Sequence, residues 1–428
     1  MIVGASTSPT GAALPVWRDP AAWARTADIV AALIALVLPW STSLVAIFAV
    51  AWIIVVVPTL ELTSFARSLR QPACMLPIAL FALAVVGTLW SDAPWGARIY
   101  AISPTAKLLV LPVLIYHFGR SERGLWVFIA FLASCTLLML LSWAVVFDPR
   151  LALKHGALYG VPVKNYIDQS QEFGLCAVAL AYPVVNLFNR RKFALAAILL
   201  VLGLSFLVNM MFVIVSRTAL VGMPIMLTVF ALLHLKRRGR IVTLCAIAVL
   251  ASAAWLASPR LQATTASAFS QYNQYEESSR STSVGLRLEF WRKSLGFFAE
   301  APLLGHGTGS TRGLFEQAAI GQTGAAAEVI GNPHNQTLNA AVQWGMLGVV
   351  VLYAMWLVHL LLFRGDGLAS WVGLLVVVQN IVSSLFNSHL FDFHEGWMYV
   401  LGVGVAGGMV MKARSGDAAA APPRSVKA

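Results

Sequence analysis

The chain has 428 residues, 59% of them hydrophobic and only 11% charged, against about 25% charged in an ordinary soluble domain. A mean hydropathy of +0.77, with apolar runs from end to end, excludes a soluble enzyme, a disordered chain, a collagen-like chain and a coiled coil, and leaves a polytopic membrane protein. The formal net charge is +12, from 30 Lys+Arg against 18 Asp+Glu, which by itself admits nucleic acid, a membrane surface or topology as the cause.

A membrane-crossing helix needs about 20 mainly apolar residues, and runs of that kind are expected near 27–40, 43–60, 73–90, 105–118, 125–147, 171–188, 193–215, 218–235, 241–257, 336–363, 368–385 and 396–411, about 12 spans of an all-α fold. The first and fourth are short enough to be tilted or re-entrant. Residues ahead of Asp28 lack the apolar core of a signal peptide, so the first span is expected to be retained with the N-terminus in the cytoplasm. In that orientation the cytoplasmic segments hold 18 of the 30 basic residues and account for the whole net charge of +12, while the outer face sums to zero. The positive-inside rule therefore explains the charge without nucleic acid. The expected organisation is a cytoplasmic segment 1–26, spans one to nine within 27–257, a large outward loop 258–335, the last spans within 336–413, and a disordered cytoplasmic tail 414–428.

Cys74, Cys135, Cys176 and Cys245 lie in apolar runs without a CxxC pair and read as core packing. The short outward loop 148–170 carries Arg150, Lys154 and Lys164, which read as solvated or as contacts to an anionic lipid. Function is expected in the large loop. Its part 271–283 is Ser-rich and reads as a lid or linker. Residues 284–300 have helical periodicity, with Val284, Leu288, Trp291, Leu295 and Phe298 on one stripe and Glu289, Arg292 and Lys293 away from it, as in an amphipathic helix lying on the membrane surface. Arg287 falls inside the apolar arc and needs an anionic partner, either a protein carboxylate or a ligand.

Residues 302–309, Pro-Leu-Leu-Gly-His-Gly-Thr-Gly, form a glycine-rich turn containing His306. Without a following Lys-Ser/Thr it is no nucleotide P-loop, and it reads as a plain turn or an anion cradle. Asn332 and Pro333 read as the cap and first residue of the next helix, which places His334 in its first turn, where the dipole would keep the imidazole neutral. It is then either a proton acceptor or a cap. Arg217, in Ser216-Arg217-Thr218-Ala219 between two apolar runs, lies at the outer boundary and is a functional candidate by position. Two arginines and a histidine there would suit a phosphorylated lipid. In the segment 387–395, Asp392 reads as an interfacial pair, an orienting group for His334 or a sugar contact; His389, Asp392, His394 and Glu395 lack a diagnostic metal spacing.

The order of Arg217, Gly285-Leu286-Arg287 leading to Trp291, Pro302-Leu303-Leu304-Gly305-His306-Gly307, and His334-Asn335 followed by Gly345 and Gly348 resembles the bacterial O-antigen ligase family, within the superfamily that includes O-antigen polymerases. The resemblance implies a GT-C-like glycosyltransferase of the bacterial inner membrane whose large loop is periplasmic. It implies transfer of a glycan from undecaprenyl diphosphate to a sugar hydroxyl of the lipid A core, inverting and without a metal or nucleotide cofactor. Carried over by position, Arg217 and Arg287 would clamp the diphosphate and His334 would be the base, with Asp392, Asn335 and His306 as auxiliary candidates. A polymerase is the alternative within the superfamily; it usually has two sizeable outward loops, whereas 148–170 is short. A lipid-linked glycan transporter or flippase is the alternative from another class. It should place carboxylates near the midplane, and most Asp and Glu here fall at span ends or in loops.

Overall fold

The computed structural model describes residues 19–154, 158–278 and 281–420. Its helices are α1 (Pro20–Val37), α2 (Thr42–Val56), α3 (Leu62–Leu69), α4 (Pro72–Val86), α5 (Trp95–Ala106), α6 (Val110–Phe118), α7 (Gly124–Phe147), α8 (Tyr166–Ala179), α9 (Ala181–Asn189), α10 (Phe193–Phe212), α11 (Arg217–His234), α12 (Arg237–Ala257), α13 (Pro259–Ser278), α14 (Ser283–Glu300), α15 (Thr311–Ala319), α16 (Gln336–Leu362), α17 (Leu368–Ser383) and α18 (Phe393–Ala420). No strand occurs among the described residues. Several helices begin where a side-chain oxygen takes an otherwise orphaned N–H: Asp19 accepts from Ala21, Ser41 from Leu44, Asn165 from Ile167 and Asp168, and Thr282 from Gly285.

Every apolar run read from the sequence is helical. Among the described residues ten helices, some continued across a short break, are long and apolar enough to cross a membrane, or up to 11 if the pair α3 and α4, bent by 79°, forms one span; α17 is a shorter apolar helix. The chain is thus an all-α polytopic membrane protein. The bend falls at Gln71-Pro72, where a proline opens α4 and the residue before it is disfavoured from helical geometry. Because lipid offers no hydrophobic drive between helices, tight packing and buried hydrogen bonds hold the bundle: Trp52 Nε1 donates to Ala27 O at 3.0 Å and Trp40 Nε1 to Ser134 Oγ at 2.7 Å. At one end Asp28, inside α1, is bonded by His117 at 2.8 Å, Ser121 at 2.7 Å and Arg123 at 3.3 Å.

At the opposite end, α14 and α15 pack beside the N-terminal half of α16, and α13 packs on α14. Phe290, Phe297, Phe315 and Val342 form a separate small core there. The burial departs from the apolar stripe expected on α14: Gly285, Glu289, Phe290, Lys293, Ser294 and Phe297 face inward, while Leu295 remains 56% exposed. Glu289 and Lys293 can turn inward because each is partnered. Glu289 accepts from Arg292 at 2.6 Å and from the Tyr275 hydroxyl at 3.1 Å, and the Lys293 ammonium donates to Ala326 O. Arg292 and Tyr275 hold the Glu289 carboxyl below its usual range, Arg292 foremost.

Other expectations are corrected by the same kind of local bonding. The linker expected from residue 271 is helical through Ser278, as the C-terminal part of α13; residues 279 and 280 lie outside the described set. Cys245 is exposed rather than core. Not all carboxylates sit at span ends: Asp28 lies within α1 and Glu172 within α8, both buried. Helix α18 continues to Ala420, and the remainder of the expected tail, 421–428, is outside the described residues.

The glycine-rich turn and the glycines of α16 form one joint. At Gly345 the helix is interrupted, with φ 59° and ψ −153°, and the backbone at 302–307 enters the gap. His306 N donates to Val342 O at 2.9 Å and Gly307 N to Gln343 O at 2.8 Å; Met346 N donates to Pro302 O at 2.8 Å and Leu347 N to Leu303 O at 3.3 Å. Thr308 N and Gly309 N are likewise bonded, to Gly87 O and Gln343 Oε1, and Gly305 N to Ala301 O, so the N–H groups from Gly305 to Gly309 are engaged in a structural splice rather than free to cradle an anion. A Cβ on Gly305 would come within 2.6 Å of the backbone at Gln343, Trp344 and Gly345. Substituting Gly345→Ala is expected to cost about 1–3 kcal/mol for the backbone conformation alone, read as a lowered melting temperature in detergent, with loss of ordered packing of α14 on α16.

Candidate functional site

The site is built where α11, α14 and the turn before α16 meet the turn between α17 and α18. His334 does not lie in the first turn of the helix. Asn335 is the N-cap of α16, its Oδ1 accepting from Leu338 N at 3.1 Å, and His334 precedes it in the left-handed region at φ 53°. Asn332 holds that conformation: its Oδ1 accepts the His334 N–H at 3.0 Å and the Ser388 hydroxyl at 2.6 Å, an Asx-type turn. Further bonds fasten 332–336 to the 384–388 turn. Gln336 N donates to Ser384 O at 2.9 Å and Asn335 Nδ2 to Leu385 O at 3.1 Å, while His334 Nδ1 lies 2.8 Å from Asn387 Oδ1. The Asn387 amide donates in turn to Asp392 Oδ2 at 2.6 Å.

The His334 ring lies against Phe290, 6.1 Å between centroids. Burial lowers its pKa below the ordinary 6.5, the bond to Asn387 opposes this, and the nearby Arg287 charge lowers it further. The imidazole is therefore neutral at physiological pH through burial and Arg287 rather than through a helix dipole. Burial pushes Asp392 up to about 6 against the pull of Lys107.

Arg287, on α14, is half-buried and makes no hydrogen bond or ion pair with another described residue. Burial lowers its pKa, and Arg217 nearby lowers it further while Tyr166 opposes. Arg217 opens α11 at its N-terminus, a place where the helix dipole disfavours a cation. Its contacts are neutral ones from α13: Ser267 Oγ at 3.0 Å and Gln271 Oε1 at 3.4 Å. Both arginines line a cavity of about 210 Å³ with Thr218, Val221, Ala268, Val284, Leu288, Trp291 and Phe386. The stripe Val284, Leu288, Trp291 thus faces this cavity. No carboxylate lines it, and the Trp291 indole N–H, buried, has no hydrogen-bond partner. An apolar chamber with two guanidinium groups and no carboxylate is electrostatically incomplete without an anion.

The other sequence candidates are placed elsewhere. His306 Nε2 bonds Phe297 O at 2.8 Å and ties the end of α14 to the splice. The residues 389–395 do not converge on one point. His389 Nδ1 is 3.8 Å from Glu395 Oε1, and His394 Nδ1 is 3.0 Å from Asp168 Oδ2. Among the described residues no group of three or more His, Cys, Asp or Glu could hold a metal ion. Lys164 is not a lipid-facing loop lysine: its ammonium is turned inward to Leu38 O and His394, and burial brings its pKa down to about 8. Arg150 pairs locally with Asp148 at 3.0 Å, and Lys154 reaches Lys164 O at 3.3 Å. Sequence reading missed Asn387, Tyr166 and Phe386, which reach the site only through tertiary folding; no local pattern marks them.

If the cavity selects an anion, inorganic pyrophosphate should raise the melting temperature of the purified protein in proportion to the logarithm of its concentration, and Arg287→Gln should abolish the rise. Equal stabilisation of both proteins would show that the cavity does not bind the anion.

Residues 202–353 match the family model described as O-antigen ligase. That window contains Arg217, Arg287 and His334 but not Asn387 or Asp392. An uncharacterized protein of Haemophilus influenzae (strain ATCC 51907 / DSM 11121 / KW20 / Rd) is 26% identical over 181 residues, covering 41% of this chain and 44% of that protein. The chain thus matches less than half of that relative's length.

Proposed function

From the family that the match over residues 202–353 supports, the O-antigen ligases, we propose that this membrane protein transfers a glycan from undecaprenyl diphosphate to a sugar hydroxyl of the lipid A core at the periplasmic face of the inner membrane. The observation that carries the reading is the carboxylate-free cavity in which Arg287 lacks a protein partner beside Arg217. Planar guanidinium groups match phosphate oxygens two at a time and remain charged at any working pH. The cavity's apolar wall of Val221, Val284, Leu288 and Phe386 suits the first carbons of a prenyl chain.

In this reading Arg217 and Arg287 hold the diphosphate and stabilise the negative charge that grows on it as the glycosidic bond breaks. The neutral His334 takes the proton from the attacking hydroxyl. The new bond forms between that oxygen and the anomeric carbon, the old bond to the diphosphate oxygen breaks, and the diphosphate leaves with the electron pair. Attack opposite the leaving group inverts the anomeric centre. Asp392 acts through Asn387 rather than on substrate. A polymerase would use the same groups on a lipid-linked acceptor, and the acceptor used by purified protein distinguishes the two: capping of rough lipopolysaccharide marks the ligase, growth of the donor-linked chain the polymerase.

His334→Ala should insert normally and lower transfer by about a hundred-fold or more, scored as loss of polymer-capped lipopolysaccharide on a gel; normal capping would remove His334 as the base. Arg287→Ala and Arg217→Ala should each lose transfer and accumulate the lipid-linked donor, and unchanged transfer by either would return that arginine to a structural role. Because His334 acts as the neutral base and burial holds its pKa below 6.5 in the free enzyme, kcat/KM should reach half of its plateau only at a pH below 6.5. A midpoint above 6.5 in that profile would contradict the buried environment described for the ring.

A further inference from the structure

We propose that Asn387 is the positioning residue that fixes the tautomer of His334, its carboxamide locked in one orientation by Asp392 so that the imidazole presents Nε2 as the proton-accepting nitrogen. This rests on the reading of His334 as the base.

The chemistry of the three side chains leaves one arrangement. An ionised carboxylate accepts hydrogen bonds and cannot donate, so the Asn387 group 2.6 Å from Asp392 Oδ2 is the amide nitrogen. The Asn387 oxygen then points to His334, 2.8 Å from Nδ1. An amide oxygen only accepts, so Nδ1 carries the proton and Nε2 keeps its lone pair. Nε2 has no hydrogen-bond partner among the described residues.

Asp392 is held by its own backbone. The Lys107 ammonium, arriving from the break between α5 and α6, donates to the carbonyl oxygens of Phe391 and Asp392, which fixes the turn that aims the carboxylate. The charged or titratable groups facing His334 are Arg287 from α14 and His389 and Asp392 from the turn between α17 and α18. None of these bonds Nδ1, so the tautomer is decided by Asn387.

An orienting group of this kind costs the protein nothing in charge. A carboxylate placed directly on Nδ1 would raise the pKa of the base and stabilise the imidazolium before reaction. An amide relay sets the tautomer and leaves the ring neutral, with the carboxylate one residue removed. When Nε2 gains the substrate proton, the Nδ1–H bond to the polarised amide oxygen strengthens without any proton moving along the chain.

The test uses full-length protein in lipid nanodiscs with ring-¹⁵N-labelled histidine, the His334 signals being identified by subtraction of a His334→Ala spectrum. In the wild type at mildly alkaline pH the difference spectrum should show a protonated Nδ1 and a non-protonated Nε2. Asp392→Asn, nearly isosteric, removes the lock, frees the Asn387 amide to turn its NH₂ toward His334, and should shift the ring toward the Nε2–H form. Asn387→Leu removes the acceptor and should leave a mixture. In both variants kcat should fall by about ten-fold or more while KM for the donor stays near the wild-type value. The wild-type tautomer in both folded variants, or wild-type kcat in both, overturns the proposal. If His334→Ala itself transfers normally, the base reading fails and this inference falls with it; if His334→Ala is inactive while both variants keep the wild-type tautomer and rate, only the role of Asn387 is lost.

Discussion

Where α16 breaks at Gly345, its carbonyls at Val342 and Gln343 and its N–H groups at Met346 and Leu347 bond the chain at 302–307 instead of one another. An interrupted helix normally leaves such groups to water, and burying them unpaired would cost about 1–3 kcal/mol each. The inserted turn satisfies them all, so the break is stable only while the turn is seated. That couples two parts of the chain: α14, which ends just before the turn, is fixed against α16, whose N-terminal end carries His334. The distance between the arginine on α14 and the histidine ahead of α16 is therefore set by backbone bonding rather than by the flexible side chains themselves. Binding groups mounted this way keep their geometry at small entropic cost.

A second constraint separates the positive charges of the chain into two kinds. Most lysines and arginines are partnered or solvated: Arg123 pairs with Asp28, Arg120 with Glu61, Arg312 with Glu316, Arg292 with Glu289. Arg287 is not, and the contacts of Arg217 are neutral. A guanidinium half-removed from water without an anion is held at a cost, and the protein bears that cost at one cavity. Composition counts all of these residues alike in the net charge of +12; only the environment distinguishes those with a carboxylate partner from those without one.

The fold was legible because lipid demands long apolar helices and leaves little freedom in how a sequence can meet that demand. Arg217, Arg287 and His334 stood out as candidates for a related reason: each sits at an edge where an apolar run makes a polar residue conspicuous. What could not be read was which face of α14 turns inward. Its periodicity is genuine, but Glu289 and Lys293 are buried by pairing with Arg292, Tyr275 and the Ala326 carbonyl, partners the helix's own sequence does not announce, and the apolar stripe is left to line a cavity. The helix start was misread for a similar reason. Asn332-Pro333 has the chemistry of a cap, yet Asn332 spends its oxygen on His334 and Ser388, and the cap passes to Asn335. Lys164 reads as a loop cation until folding brings His394 beside it.

On the proposed reading, base and cations are carried by different mountings, and this separation is what an inverting displacement requires. The attacking hydroxyl and the departing diphosphate lie on opposite sides of the anomeric carbon, so a group that deprotonates one cannot also hold the other. His334 is fastened to the 384–388 turn through Asn332, Asn335 and Asn387, whereas Arg217 is fastened to α13 and Arg287 to α14. Their electrostatic coupling nevertheless remains: Arg287 helps keep His334 neutral. A bound diphosphate would cancel part of the Arg287 charge and so raise the proton affinity of His334 when the donor is in place. The base would then be weakest in the empty enzyme and strengthen on donor binding, which ties proton acceptance to the presence of a glycan that can use the nucleophile.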